Sequence, residues 1–156
     1  MRKLYLDAEK IEEAISVFVR DAEVVWAGTT IYPMPIRYRD AEYDRYAREY
    51  DIHFIFEDQI PEVSFYTVPQ VDIFAVDSEG GYLCTFGEIT YFEGDAPIIY
   101  IDGGRRCFLI AKNGKEFLDN VNQWKERKTS FLEIEFFSCQ EEAAEKYEFI
   151  QTISGF

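Results

Sequence analysis

The reactive side chains of this sequence are few and widely separated. His53 is the only histidine, and Cys84, Cys107 and Cys139 are the only cysteines. Any arrangement that needs an imidazole as general base beside a nucleophile must therefore use His53. Ile52, Phe54 and Phe56 alternate there with His53, Ile55 and Glu57, which places the imidazole on a β-strand. A Cys–His pair is formally open, but no spacing brings any of the three thiols beside that strand. An odd set of cysteines without a CxxC pair suits neither a disulfide framework nor a zinc site, and reads as buried, reduced thiols. Asp77 and Glu79 sit in a glycine-rich turn without the alternating oxygen ligands of a calcium loop, so they read as solvated turn charges. The pairs Gly80, Gly81 and Gly103, Gly104 open no helix at phosphate-binding spacing and read as hairpin glycines. This inventory leads to an expectation of no catalytic residues, no metal and no cofactor.

Charge says more. Thirty Asp and Glu against sixteen Lys and Arg give 156 residues a net charge of −14. Such a chain repels nucleic-acid backbones, which bind by releasing counterions to clustered cations, and it repels anionic membranes as well. Its natural complement is a positively charged protein. Two surface features could serve such a partner. Acidic residues cluster around expected strand ends and turns: Asp77, Glu79, Glu88, Glu93 and Asp95 with Tyr91 among them, and Glu57, Asp58 and Glu62 as a second set. A mixture of Tyr and Arg runs from Tyr32 through Arg37, Tyr38, Arg39, Tyr43, Arg45 and Tyr46 to Arg48, a composition shared by interface hot spots and by ordinary helix packing.

The elements that must position these residues follow from periodicity. With 47% hydrophobic residues the chain can form one full core, and its length fits a single domain, residues 1–156. Asp7 is expected to cap a helix carrying Ile11, Ala14, Ile15 and Phe18, and Gly28 to Pro35 reads as a loop. A second helix is expected from Asp40 to Tyr50, with Tyr43, Tyr46, Ala47 and Tyr50 on one face. From Asp51 the period changes to 2. Strands are expected from Ile52 to Phe56, Val71 to Val76, Tyr82 to Phe86, Ile89 to Phe92, Pro97 to Ile101 and Cys107 to Ala111. Asn113 and Glu116 form a capping box for a helix with Phe117, Leu118 and Val121 inside and Trp124 near its end. The stretch from Phe131 to Phe137 fits either a strand or a short helix. Ser138 and Glu141 suggest a last helix carrying Ala143, Tyr147, Ile150 and Ser154. Helices at both ends around a block of strands predict an α+β domain, a twisted, mostly antiparallel sheet flanked by helices. The acidic residues near the N-terminus interrupt any signal-peptide pattern, and no stretch reaches the ~20 apolar residues of a membrane span, so a cytoplasmic protein is expected.

The run from Phe74 to Phe86, FAVDSEGGYLCTF, resembles the hairpin of the SUKH superfamily, the fold shared by yeast cell-wall synthesis regulators and many bacterial toxin-immunity proteins. Asp77, Gly80 and Gly81 stand at its motif positions. The run from Ala96 to Val121 is similar to that family's next element, with Ile110, Ala111, Glu116, Phe117 and Leu118 in place. The resemblance covers about a third of the chain. It implies binding without catalysis: an antidote that occupies and silences a cognate protein toxin, for which a basic nuclease would suit the charge. The alternative is a regulatory scaffold or ligand-sensing module that uses the Tyr/Arg-rich segment as its groove.

Overall fold

The computed structural model describes residues 2–8, 22–87 and 94–150. Near the N-terminus β1 (Arg2–Asp7) pairs in parallel with β2 (Ala22–Ala27). Among the described residues the main sheet has seven strands: β3 (Thr29–Ile31), β4 (His53–Phe54), β6 (Val71–Val76), β7 (Tyr82–Phe86), β8 (Ile98–Ile101), β9 (Cys107–Ala111) and β10 (Thr129–Ser130). Their order is β10-β9-β8-β7-β6-β3, with β4 also on β6, and every pairing is antiparallel except that of β3 with β6. A separate pair joins β5 (Tyr66–Val68) to β11 (Glu135–Phe137). The helices are α1 (Ala41–Tyr50), α2 (Gly114–Asp119) and α3 (Gln140–Ala144), with a 3-10 helix at Val121–Glu126. The fold is the expected α+β, with a mixed sheet.

Both faces of the sheet are covered, which is why β6 is almost continuously apolar. On one face Phe74, Leu83, Ile98, Tyr100 and Ile110 pack with Phe117, Val121 and Trp124, and Tyr46 and Tyr50 of α1 close the layer. On the other, Val71, Ile73, Cys84, Ile99 and Ile101 meet Phe65 and Ile134 from irregular segments. A bulge between Ile73 and Ala75 adds one residue to β6, so Phe74 and Ala75 both join the helix-side core. Trp124 locks the layers by donating its indole N–H to the Tyr50 carbonyl at 2.7 Å.

Several expectations are corrected. Asp7 ends a strand in register with Ala27 instead of capping a helix, and the helix expected at Ile11 to Phe18 lies outside the described residues. The expected loop from Gly28 contains β3, and Met34 bridges Phe56 beyond it, because this segment fills the free side of β6 and β4. The strand expected at Ile52 to Phe56 keeps only two residues on β6. Ile55 is buried next to buried Phe56, since the chain there turns from β6 to Met34. The strand expected at Ile89 to Phe92 lies outside the described residues. Asn113 does cap α2, accepting the Glu116 N–H at 2.8 Å, but the Glu116 carboxylate turns to Arg127 instead of closing the box. The last helix starts one residue later than expected, with Cys139 as its N-cap, and ends at Ala144. Tyr147 and Phe149 leave it to stack on Tyr5.

Candidate functional site

The β6–β7 hairpin is built around one carboxylate. Asp77 is 7% exposed and accepts from the Gly81 N–H at 2.7 Å, the Glu79 N–H at 3.1 Å and the Tyr100 hydroxyl at 2.6 Å. Gly80 has φ +80°, a conformation glycine adopts without strain, and a Cβ on Gly81 would collide with the Tyr100 hydroxyl. Burial, and then the bond to Asp77, raise the pKa of Tyr100 far above its ordinary value. Asp77 is therefore a buried keystone, and the expectation of a solvated charge available to a partner is corrected.

Asp51 is a second keystone, one the sequence reading overlooked. It ends α1 in the left-handed conformation at φ 57° and collects the Ser78 N–H and hydroxyl, the Lys125 ammonium at 2.7 Å and His53 Nε2 at 3.0 Å. Burial opposes its ionisation, but these hydrogen bonds win and hold the carboxyl well below the usual range. The signal was an Asp directly after the last tyrosine of an amphipathic helix, a position where a short polar side chain tolerates positive φ.

These contacts also define what the reactive side chains can do. Ser78 and His53 both bond to Asp51, so the carboxylate stands between hydroxyl and imidazole, and the imidazole is not placed to take the serine proton. Cys84 and Cys107 are buried free thiols. Burial raises both, Cys107 to about 12, far from a thiolate nucleophile. Cys139 is exposed, against the expectation that all three thiols are buried, because it sits at the start of α3. Among the described residues no three His, Cys, Asp or Glu side chains converge to hold a metal ion.

The remaining expected binding residues divide. Glu79 is exposed on the hairpin. Asp95 is also exposed but lies beyond the opposite end of β7, about 14 Å away along five residues of strand, so the first acidic set is not one face. Glu88, Tyr91 and Glu93 lie outside the described residues. Glu57, Asp58 and Glu62 occupy an exposed loop between β4 and β5. This loop stands beside the hairpin end of the sheet, because a groove of about 330 Å³ is lined both by Gln59, Ile60 and Pro61 and by His53 and Val76. Within the loop, Asp58 holds Arg39 through two hydrogen bonds, at 2.6 and 3.2 Å, while Arg39 covers the Phe56 ring at 4.3 Å. Glu57, Glu62, Glu79 and Asp95 form no ion pair among the described residues.

The Tyr/Arg segment has two fates. On α1, Arg45 is drawn back onto Glu42, Glu49 and Tyr50, and Tyr46 and Tyr50 pack on the core. Ahead of α1, Tyr32, Ile36 and Tyr38 remain 39–51% exposed. Among the described residues no helix is long and apolar enough to cross a membrane. No family model matches the chain, and no curated protein or solved structure matches it either.

Proposed function

We propose that the protein is a non-catalytic immunity protein with a SUKH-like domain, which binds a cognate, basic protein toxin in the cytoplasm and neutralises it. The observation that carries this reading is the distribution of charge. Glu57, Glu62 and Glu79 stand exposed, form no ion pair among the described residues and lie on neighbouring segments of a molecule of net charge −14. Such a surface attracts a cationic protein over a distance of about one Debye length and accelerates its arrival. The hairpin supports the family resemblance in physical terms. Asp77, Gly80 and Gly81 are the residues that shape the turn, and β9 leads through Asn113 into α2 in the expected order.

The test is functional. A protein captured by this chain from its native host at low salt is expected to be basic, to be released at high salt, and to arrest growth when expressed alone. Co-expression of this chain restores growth if the reading holds. A captured partner that is harmless, or whose toxicity the chain does not relieve, counts against it. A second reading, a regulatory or ligand-sensing module, draws on the groove beside Arg39, and would be favoured by a small ligand that fills that groove.

A further inference from the structure

We propose that the cationic partner seats an apolar side chain, flanked by its own basic residues, in the groove beside Ile60. This rests on the partner being a basic protein and adds where it docks. Six large hydrophobic side chains are exposed among the described residues; of these Ile60 lines the groove together with Arg39, and Ile36 and Tyr38 lie in the turn that ends at Arg39. Single exposed apolar residues are ordinary, but an exposed isoleucine on a groove walled by two phenylalanines and an arginine has the composition of an interface centre. The groove is preformed. Its Phe54 and Phe56 are held edge-on by Tyr43, at ring separations of 5.1 and 5.2 Å, and Arg39 is held by Asp58. Glu57 and Glu62 follow the groove residues Phe56 and Pro61 directly in sequence, are exposed and form no ion pair among the described residues, so the complement is an apolar anchor between lysines or arginines.

Backbone pairing is not the mode of contact. Tyr32 and Met34 donate their N–H groups inward, to Ile73 and Ile55, so the alternate positions that face outward are Pro33 and Pro35, which have no N–H. Over Pro33 to Pro35 the edge offers an added strand no outward N–H, and docking there falls to side chains.

The full-length protein can be titrated with two probes: a lysine octapeptide with one central phenylalanine, and the same peptide with glycine there. The phenylalanine peptide is expected to bind about tenfold more tightly at low salt, as partial burial of one aromatic ring implies. Its binding should shift the amide resonances of Arg39, Gln59 and Ile60, which line the groove. Ile60→Ser, at an exposed position that folding does not need, should lower its affinity to that of the glycine peptide and leave the glycine peptide unchanged. Equal affinities, indifferent to Ile60→Ser, would overturn the proposed anchor while leaving a purely electrostatic surface standing. Failure of both peptides to bind would count against the charged-surface reading itself.

Discussion

The hairpin around Asp77 and the loop around Ile60 are neighbours, both acidic, and they use their carboxylates in opposite ways. In the hairpin the Asp77 oxygens are turned inward and satisfied by backbone N–H groups and the Tyr100 hydroxyl, and half-buried Asp51 at the end of α1 is satisfied by Ser78 and the Lys125 ammonium. In the loop, Glu57 and Glu62 face solvent, and among the described residues only Asp58 is paired, with Arg39. A buried carboxylate with its hydrogen bonds made is a structural element, because removing it leaves donors stranded. An exposed one contributes little to stability and is free to act on a partner. Acidity in the sequence does not separate these roles. Burial does.

The largest effect is expected at Gly81. Its Cβ position is occupied by the Tyr100 hydroxyl, and Tyr100 is buried among Leu83, Phe117 and Trp124, so it cannot swing away. Gly81→Ala is expected to cost about 3 kcal/mol, read from the urea midpoint. Asp77→Ala comes next. It strands the Tyr100 hydroxyl and two backbone N–H groups, and about 2 kcal/mol should be lost. A loss below about 0.5 kcal/mol would return Asp77 to the surface set.

Asp51 sharpens the contrast through pH. Its folded-state pKa is depressed, so its contribution is complete above the unfolded value near ~4 and declines as pH falls from there through the lower folded value. Asp51→Asn is expected to cost about 1–2 kcal/mol at neutral pH, and to flatten the acid side of the stability curve. An acid limb as steep as that of the unaltered protein would contradict this. The smallest effect belongs to the loop. Glu57→Lys with Glu62→Lys should leave the unfolding free energy within about 0.5 kcal/mol while slowing association with a cationic partner.

Periodicity made the core legible. The run Val71–Val76, the hairpin glycines, the tyrosine face of α1 and the Asn113 cap are local patterns whose physical causes are local, and the structure has each of them. The misreadings at Asp7, Gly28 to Pro35 and Tyr147 share a different cause. Each is a short segment whose conformation is set by a partner strand far away in sequence: Ala27 for Asp7, Ile73 and Ile55 for Tyr32 and Met34, and Tyr5 for Ile150. Site residues suffered the same way. Asp77 and Glu79 are two residues apart, yet Tyr100 draws only the first into the core. Ile60 carried a weak signal, an apolar residue before a proline in a charged loop, and its meaning emerged only with the groove it shares with Arg39 and Phe56. The acidic loop itself, Glu57, Asp58 and Glu62, was readable because nothing buries it.

The most direct measurement is the association rate of the captured partner with this chain as a function of ionic strength, for the unaltered protein and for a variant with Glu57, Glu62 and Glu79 each changed to Lys. The expected result is a rate that falls steeply with added salt for the unaltered protein and a lower rate with a shallower salt dependence for the variant. Equal rates for the two proteins at low salt would contradict it.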